Sequence, residues 1–155
     1  MYKKILVPLD GSELAECVLG HVEAIAKGCG VQQVVLLRVV EPVHIPAGGY
    51  EGGFSEEDIK RINSENRAAA GNYLSQLVNR TKYDGVTIRS EVITGKAAES
   101  IAEYATKNEI DLITIATHGR SGVSRWVYGS VADRVLRSAL VPVLMVRAPG
   151  CTPGI

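Results

Sequence analysis

The sequence predicts an α/β fold: a single domain built on a five-stranded parallel sheet, doubly wound, with helices on both faces. Short apolar runs of strand length alternate along the chain with longer segments of helical periodicity. The runs Val34 to Val40 and Leu112 to Ala116 are apolar nearly throughout, as expected of strands covered on both faces. Five such strands interleaved with four helices are buried together by right-handed crossovers in one parallel sheet.

The first strand is Lys4 to Leu9, ending in Asp10-Gly11-Ser12, a turn that also carries helix-capping chemistry. Leu14, Val18, Val22 and Ile25 then recur at helical spacing until Gly28 and Gly30 end that helix. The second strand, Val34 to Val40, leads into Glu41 to Phe54, an irregular segment long enough to read as a functional or mobile loop. A long helix starts behind Ser55 as N-cap, with acids in its first turn. It runs to about Thr81, with Ile59, Ile62, Ala69, Tyr73 and Leu77 facing inward.

Val86 to Thr94 alternates and reads as a more exposed edge strand. Ala98, Ile101, Ala102 and Ala105 mark the next helix, and Asp111 leads into the fourth strand. The last helix is Ser130 to Ser138, with Val131, Val135 and Leu136 inward. Pro142 stops it before the last strand, Val143 to Val146. The domain is expected to span residues 1–148, with a flexible tail from Pro149 to Ile155.

A chain of 155 residues that is 46% hydrophobic can bury one sizeable core. Lys+Arg and Asp+Glu balance at 17 each, so no net field draws the chain to nucleic acid or to a membrane surface. No apolar run approaches the roughly 20 residues of a membrane span. The N-terminus has only a short apolar run, broken by Pro8 and Asp10, and lacks a signal-peptide pattern. Cys17, Cys29 and Cys151 have no metal-ligand spacing and read as three thiols in a reducing compartment. Together these predict a cytoplasmic protein.

The stretch from Ile115 to Val135 carries the chemistry. A strand stops at a glycine-rich polar loop, and Gly129-Ser130 opens a helix. Free N–H groups of a first helical turn and the positive end of the helix dipole receive phosphate in such a place. In doubly wound sheets the ligand sits beyond the carboxyl ends of the strands, where the strand order reverses. If strands one and four are neighbours there, Asp10 and the loop after Ala116 flank one crevice. The backbone at Val39-Val40-Glu41 would then meet an adenine edge, and Asp10 would accept from a base amine or a ribose hydroxyl. Gly129, Ser130 and the N–H groups from Val131 onward would hold phosphates, with Arg120 or Arg125 adding charge.

Plainer readings stand beside these. Asp10-Gly11-Ser12 reads equally well as a turn and helix cap. Arg125, Arg134 and Arg137 read more simply as a solvated basic face, and Trp126 and Tyr128 as packing residues. His118 has no evident nucleophile or metal partner, and His21 and His44 are isolated, so no catalytic residue and no metal site are assigned.

These residues resemble the universal stress protein family over nearly the whole chain, from Lys3 to Arg147. Pro8-x-Asp10-x-Ser12 after the first strand and Leu-Leu-Arg-Val-Val-Glu-Pro at the second are similar to the family pattern. Its nucleotide-binding members carry G-x-x-G, nine residues, then G-[ST]. Here Gly119 is followed by nine residues and Gly129-Ser130, whereas Ala116 stands at the motif's first glycine. A methyl there would weaken binding if the backbone needs positive φ, and would cost little in β geometry.

The resemblance implies a Rossmann-like fold of the adenine nucleotide alpha-hydrolase-like type and an ATP-binding subclass. By that resemblance Pro8, Asp10 and Val39 lie on the base and ribose side. Ala116, His118, Gly119, Gly129, Ser130 and Val131 lie along the phosphate side. ATP or AMP, with Mg²⁺ through the phosphates, is the implied ligand, and a homodimer through Val143–Val146 the implied assembly.

The leading function is a cytoplasmic adenine-nucleotide-binding regulatory protein of the stress response. One alternative is a dimeric interaction module without nucleotide; another is a slow ATPase. The chain lacks G-x-x-x-x-G-K-[ST], S-G-G-x-D-S and H-I-G-H signatures and paired carboxylates for Mg²⁺, so at most slow ATP hydrolysis is expected.

Overall fold

β1 (Lys4–Pro8) occupies the middle of the sheet, and Ile5, Leu6 and Val7 have no exposed surface. The computed structural model describes residues 1–44, 55–118 and 130–148. Around β1 lie α1 (Glu13–Glu16), α2 (Leu19–Cys29), β2 (Gln33–Val40), α3 (Glu56–Arg80) and β3 (Thr87–Thr94). The described chain continues with α4 (Ala97–Lys107), β4 (Leu112–His118), α5 (Ser130–Ser138) and β5 (Val143–Ala148). The strand order is β3-β2-β1-β4-β5 and every pair is parallel. The expected doubly wound sheet is therefore present, with β3 at one edge as the alternating pattern predicted.

Strand alternation sorts the core into two layers. Ile5, Val7, Val34, Leu36 and Leu112 pack with Val18 and Val22 near the start of α2 and with Leu74 and Leu77 of α3. Leu6, Val35, Leu37, Ile113 and Ile115 pack on the other face with α4 and α5, through Ala98, Ile101, Ala105, Ala132 and Val135. Each fully buried aliphatic side chain contributes about 1.5–3 kcal/mol. Such numbers make the central strands the anchor of the fold.

The helix ends follow their sequence signals. Gly30 closes α2 at φ 66°, its N–H donating to the Ala26 carbonyl. Ser55 opens α3 with a capping box. Its hydroxyl accepts from the Asp58 N–H at 3.1 Å, and its own N–H donates to the Asp58 carboxylate at 3.0 Å. The Ser55 hydroxyl, which also donates to the Asp58 carboxylate at 2.8 Å, and then the Ser55 N–H hold the Asp58 carboxyl below the usual carboxylate range. Asp111 ties β4 to β1, its carboxylate accepting from the N–H groups of Lys3 at 2.9 Å and Lys4 at 2.8 Å.

Three expectations about facing are corrected. The first helix is two pieces, because its first turn is wound tighter. Ala15 N–H bonds Ser12 O at 3.1 Å and Cys17 N–H bonds Leu14 O at 3.4 Å, both three residues back. This rotation buries Ala15 and leaves Leu14 38% exposed. In α5, Ala132 and Val135 are buried against β4, while Val131 and Leu136 face outward at 36% and 47%. In α3, Ala70, Leu74 and Leu77 form the buried stripe, whereas Ala69 is exposed.

The expectation of three thiols is corrected at Cys17, which is disulfide-bonded, a pairing that no local C-x-x-C spacing announces, so the cysteines do not support the reducing compartment read from them. Cys29 keeps a free, half-buried thiol. No helix among the described residues is long and apolar enough to cross a membrane. The tail from Pro149 to Ile155 and all but residues 41–44 of the expected loop lie outside the described residues.

Candidate functional site

The strand order reverses between β1 and β4, where Ile5 pairs with Leu112 and Leu6 with Ile113. β2 lies on the other side of β1, with Pro8 opposite Leu37. Three strand ends, β2, β1 and β4 in that order, thus rim one crevice, as expected if strands one and four were neighbours.

Pro8 is buried as the last residue of β1. Leu9 still belongs to the ladder, its N–H bonding the Leu37 carbonyl at 2.9 Å. Asp10 is exposed just beyond it. Its Oδ1 accepts from the Ser12 N–H at 2.9 Å and from the Ser12 hydroxyl at 2.5 Å, while Gly11 between them takes φ 85°. The Ser12 hydroxyl in turn accepts from Ala15 N–H at 3.2 Å. The turn-and-cap reading of this tripeptide is therefore structurally correct. It also holds the Asp10 carboxylate in one place at the mouth of the crevice.

Val39 gains meaning from alternation. In a parallel strand, successive residues present their N–H and C=O to opposite neighbours. Leu37 O bonds β1, and Val40 O accepts from Gly95 N–H on the β3 side. The backbone of Val39 therefore points to the β1 side, where β1 has already ended. That leaves an amide edge directed over Leu9 and Asp10.

Ala116 lies within β4, opposite Val146. It is half-buried and its methyl packs on the layer under α2 and α3. Among the described non-glycine residues only Glu109 has positive φ. The alanine backbone is thus ordinary strand, the case in which a methyl costs little. His118 ends β4, Ser130 starts α5, and Val131 is exposed in its first turn. Gly119, Arg120, Gly122, Arg125, Trp126, Tyr128 and Gly129 lie outside the described residues. Among the described residues no group of three His, Cys, Asp or Glu is placed to hold a metal ion.

A cavity of about 620 Å³ opens between the end of β2, the Asp10-Gly11 turn and α3. Asp10, Val39 and Glu41 line it, together with Arg38, Asn66 and Tyr73, which sequence reasoning had not singled out as site residues. Arg38 had a signal, since it interrupts an otherwise apolar strand. Asn66 and Tyr73 had none, because only tertiary packing brings α3 over the strand ends.

The Tyr73 hydroxyl donates to Glu16 Oε1 at 3.0 Å, and Arg80 donates to Glu16 Oε2 at 2.5 Å. Burial and the neighbouring Glu16 push the Tyr73 phenol well above its usual range. The rim is pinned at two points. Val43 N–H donates to Asn63 Oδ1 at 2.9 Å, and Ala97 N–H at the start of α4 donates to Glu41 Oε1 at 3.0 Å.

Residues 1–147 match the Universal stress protein family. The chain is 35% identical over 151 residues to universal stress protein MJ0531 of Methanocaldococcus jannaschii, covering 96% of this chain and 84% of that protein. The solved structure of MJ0577, a universal stress protein of the same organism, superposes with a TM-score of 0.77 at 29% identity, covering 95% of this chain and 96% of that one. A family protein from Arabidopsis thaliana, solved with AMP bound, shares the fold at a TM-score of 0.63 and 20% identity, over 94% of this chain and 91% of its own. With the family match spanning residues 1–147 and a relative 35% identical over 96% of the chain, the chain belongs to the universal stress protein family.

Proposed function

We propose that this chain is a cytoplasmic regulatory protein of the stress response whose conformation or partner choice is set by a bound adenine nucleotide, ATP or AMP. The observation that carries the reading is the strand-end geometry. The Val39 amide edge, the Asp10 carboxylate and the end of β4 lie in that order across neighbouring strands β2, β1 and β4. Base, ribose and phosphates of a nucleotide follow in the same order. Pro8 and Val39 would flank the base, Asp10 the ribose. Ala116, His118, Gly119, Gly129, Ser130 and Val131 would form the phosphate end, with Mg²⁺ held through the phosphates rather than by a protein cage. The extended backbone at Ala116 supports retained binding, and the family protein solved with AMP shares this fold.

Freshly purified protein should release an adenine nucleotide that co-migrates with standards on chromatography, and calorimetry should give saturable binding of ATP or AMP. Gly129→Val should abolish that binding in a folded protein. An empty protein that binds neither nucleotide at millimolar concentration would instead be a dimeric interaction module. Turnover in the range of about 1–10³ s⁻¹ would make it an enzyme rather than a slow ATPase at most.

The same reading includes a homodimer through β5. That edge strand and the segment leading to it expose Leu140 at 86% and Leu144 at 36%, and an apolar edge strand needs a partner or a cover.

A further inference from the structure

Arg38 is the one charged side chain in β2, and it sits half-buried directly after four buried residues. A half-buried cation is costly unless it is paired or hydrogen-bonded. Among the described residues no carboxylate forms an ion pair with it, and its hydrogen bond is a long one, from Nη1 to the Leu9 carbonyl at 3.4 Å. Its guanidinium instead lies flat against Gly11. A Cβ built on that glycine would be 3.7 Å from both Cζ and Nη1 and 3.8 Å from Nη2. The group therefore braces both sides of Asp10, through the carbonyl before it and the glycine after it. Arg38 also lines the 620 Å³ cavity that Asp10 lines.

We infer that Arg38 is the positioning residue of the nucleotide site: it clamps the Leu9-Asp10-Gly11 turn so that the Asp10 carboxylate accepts from a ribose hydroxyl. This rests on the nucleotide reading above. Ribose, rather than base, follows from position, because Asp10 stands at the end of the middle strand, between the Val39 edge and the phosphate end. Ser12 fixes Oδ1 from inside the turn, and Arg38 fixes the backbone from the α3 side. An apolar residue at position 38 would satisfy the strand and lose the clamp.

The test uses the full chain with AMP, 2′-deoxy-AMP and 3′-deoxy-AMP as titrants in calorimetry. The wild type should prefer AMP over whichever deoxy form lacks the hydroxyl that Asp10 receives. Arg38→Met should weaken AMP by about tenfold, the worth of one hydrogen bond to a charged group, while barely changing the deoxy form. Arg38→Lys, which keeps charge but not the planar fork, should fall between. Asp10→Asn added to Arg38→Met should cost little further, since residues acting through one another are not additive.

Thermal melting of each variant establishes that it is folded, and a general loss of packing would weaken all three titrants equally. Equal affinity of Arg38→Met and wild type for AMP would overturn the inference, as would losses that simply multiply in the double variant. A wild type that binds none of the titrants would instead remove the nucleotide reading, and this inference with it.

Discussion

Ala116 lies opposite Val146 in the β4–β5 ladder, two residues before β4 ends at His118. The position that departs from the family's glycine pattern is thus a regular strand residue. Its methyl is packed and its φ is not positive. Ala116→Gly should therefore leave AMP affinity within about twofold of wild type. It should lower stability by about 0.5–1 kcal/mol, from the greater backbone freedom of glycine. Calorimetry and urea unfolding measure the two quantities, and a large gain in affinity would show that the methyl does obstruct the ligand.

Gly11 is the opposite case. Its φ of 85° is a conformation that L side chains rarely adopt, whereas the space beside it is adequate, with Arg38 at ordinary contact distance. Gly11→Ala should therefore be strained through the backbone rather than through a clash. A loss of about 1–2 kcal/mol is expected by chemical denaturation. An unchanged midpoint would mean that the turn readily adopts another conformation.

Tyr83 is buried between α3 and β3 in sequence, and its hydroxyl donates to the Leu19 carbonyl at 2.9 Å. Burial first, then the charge of Glu23, pushes the phenol from 10.0 up to about 12. The fold holds this proton more tightly than the unfolded chain does. The stabilisation is thus fully present below pH 10 and is lost as pH rises towards 12. Stability measured by denaturant at a series of alkaline pH values should fall across that window. In Tyr83→Phe the fall should be shallower, and phenolate absorbance should lose its latest-titrating component.

Leu74 is fully buried where α3 meets the sheet. Leu74→Ala should cost about 2–5 kcal/mol, the transfer of the lost methyl groups plus the cavity they leave. A fluorescence-monitored urea curve checks this. A cost below about 1 kcal/mol would mean that α3 collapses onto the sheet without penalty.

Leu144 is partly exposed on the edge strand β5. If that edge joins two copies, Leu144→Lys should shift the protein from dimer to monomer in sedimentation experiments, since a buried unpaired charge opposes the interface. Melting of the monomeric domain should change little, because the side chain leaves the core untouched. A wild type that sediments as a monomer would exclude this assembly.

The elements with strong local signals were legible from residues alone. Val34 to Val40 read as a doubly covered strand, Ser55 with the acids of the next turn announced the start of α3, and Gly30 announced the end of α2. Facing was less legible where a cap altered the winding. The tight turn behind Ser12 put Ala15 inward in place of Leu14. Asp10 and Val39 were named as candidates because they stand at strand ends, on the condition that strands one and four are neighbours. Asn66 and Tyr73 were not, because a helix residue over a distant strand end carries no mark in its own neighbourhood.

What the residues determined by themselves was the alternation of strands and helices, and with it a parallel sheet, the crevice at its carboxyl edge and the family pattern around Gly119 and Gly129-Ser130. These are local or periodic properties, encoded by polarity, glycine placement and spacing. Tertiary structure alone decided that Val39 turns its amide edge over a strand that has already ended. It also decided that Ala116 keeps an extended backbone and that Arg38 braces the turn carrying Asp10. Each of these depends on where one strand stops relative to its neighbour, and register is set by packing across the sheet rather than along the chain.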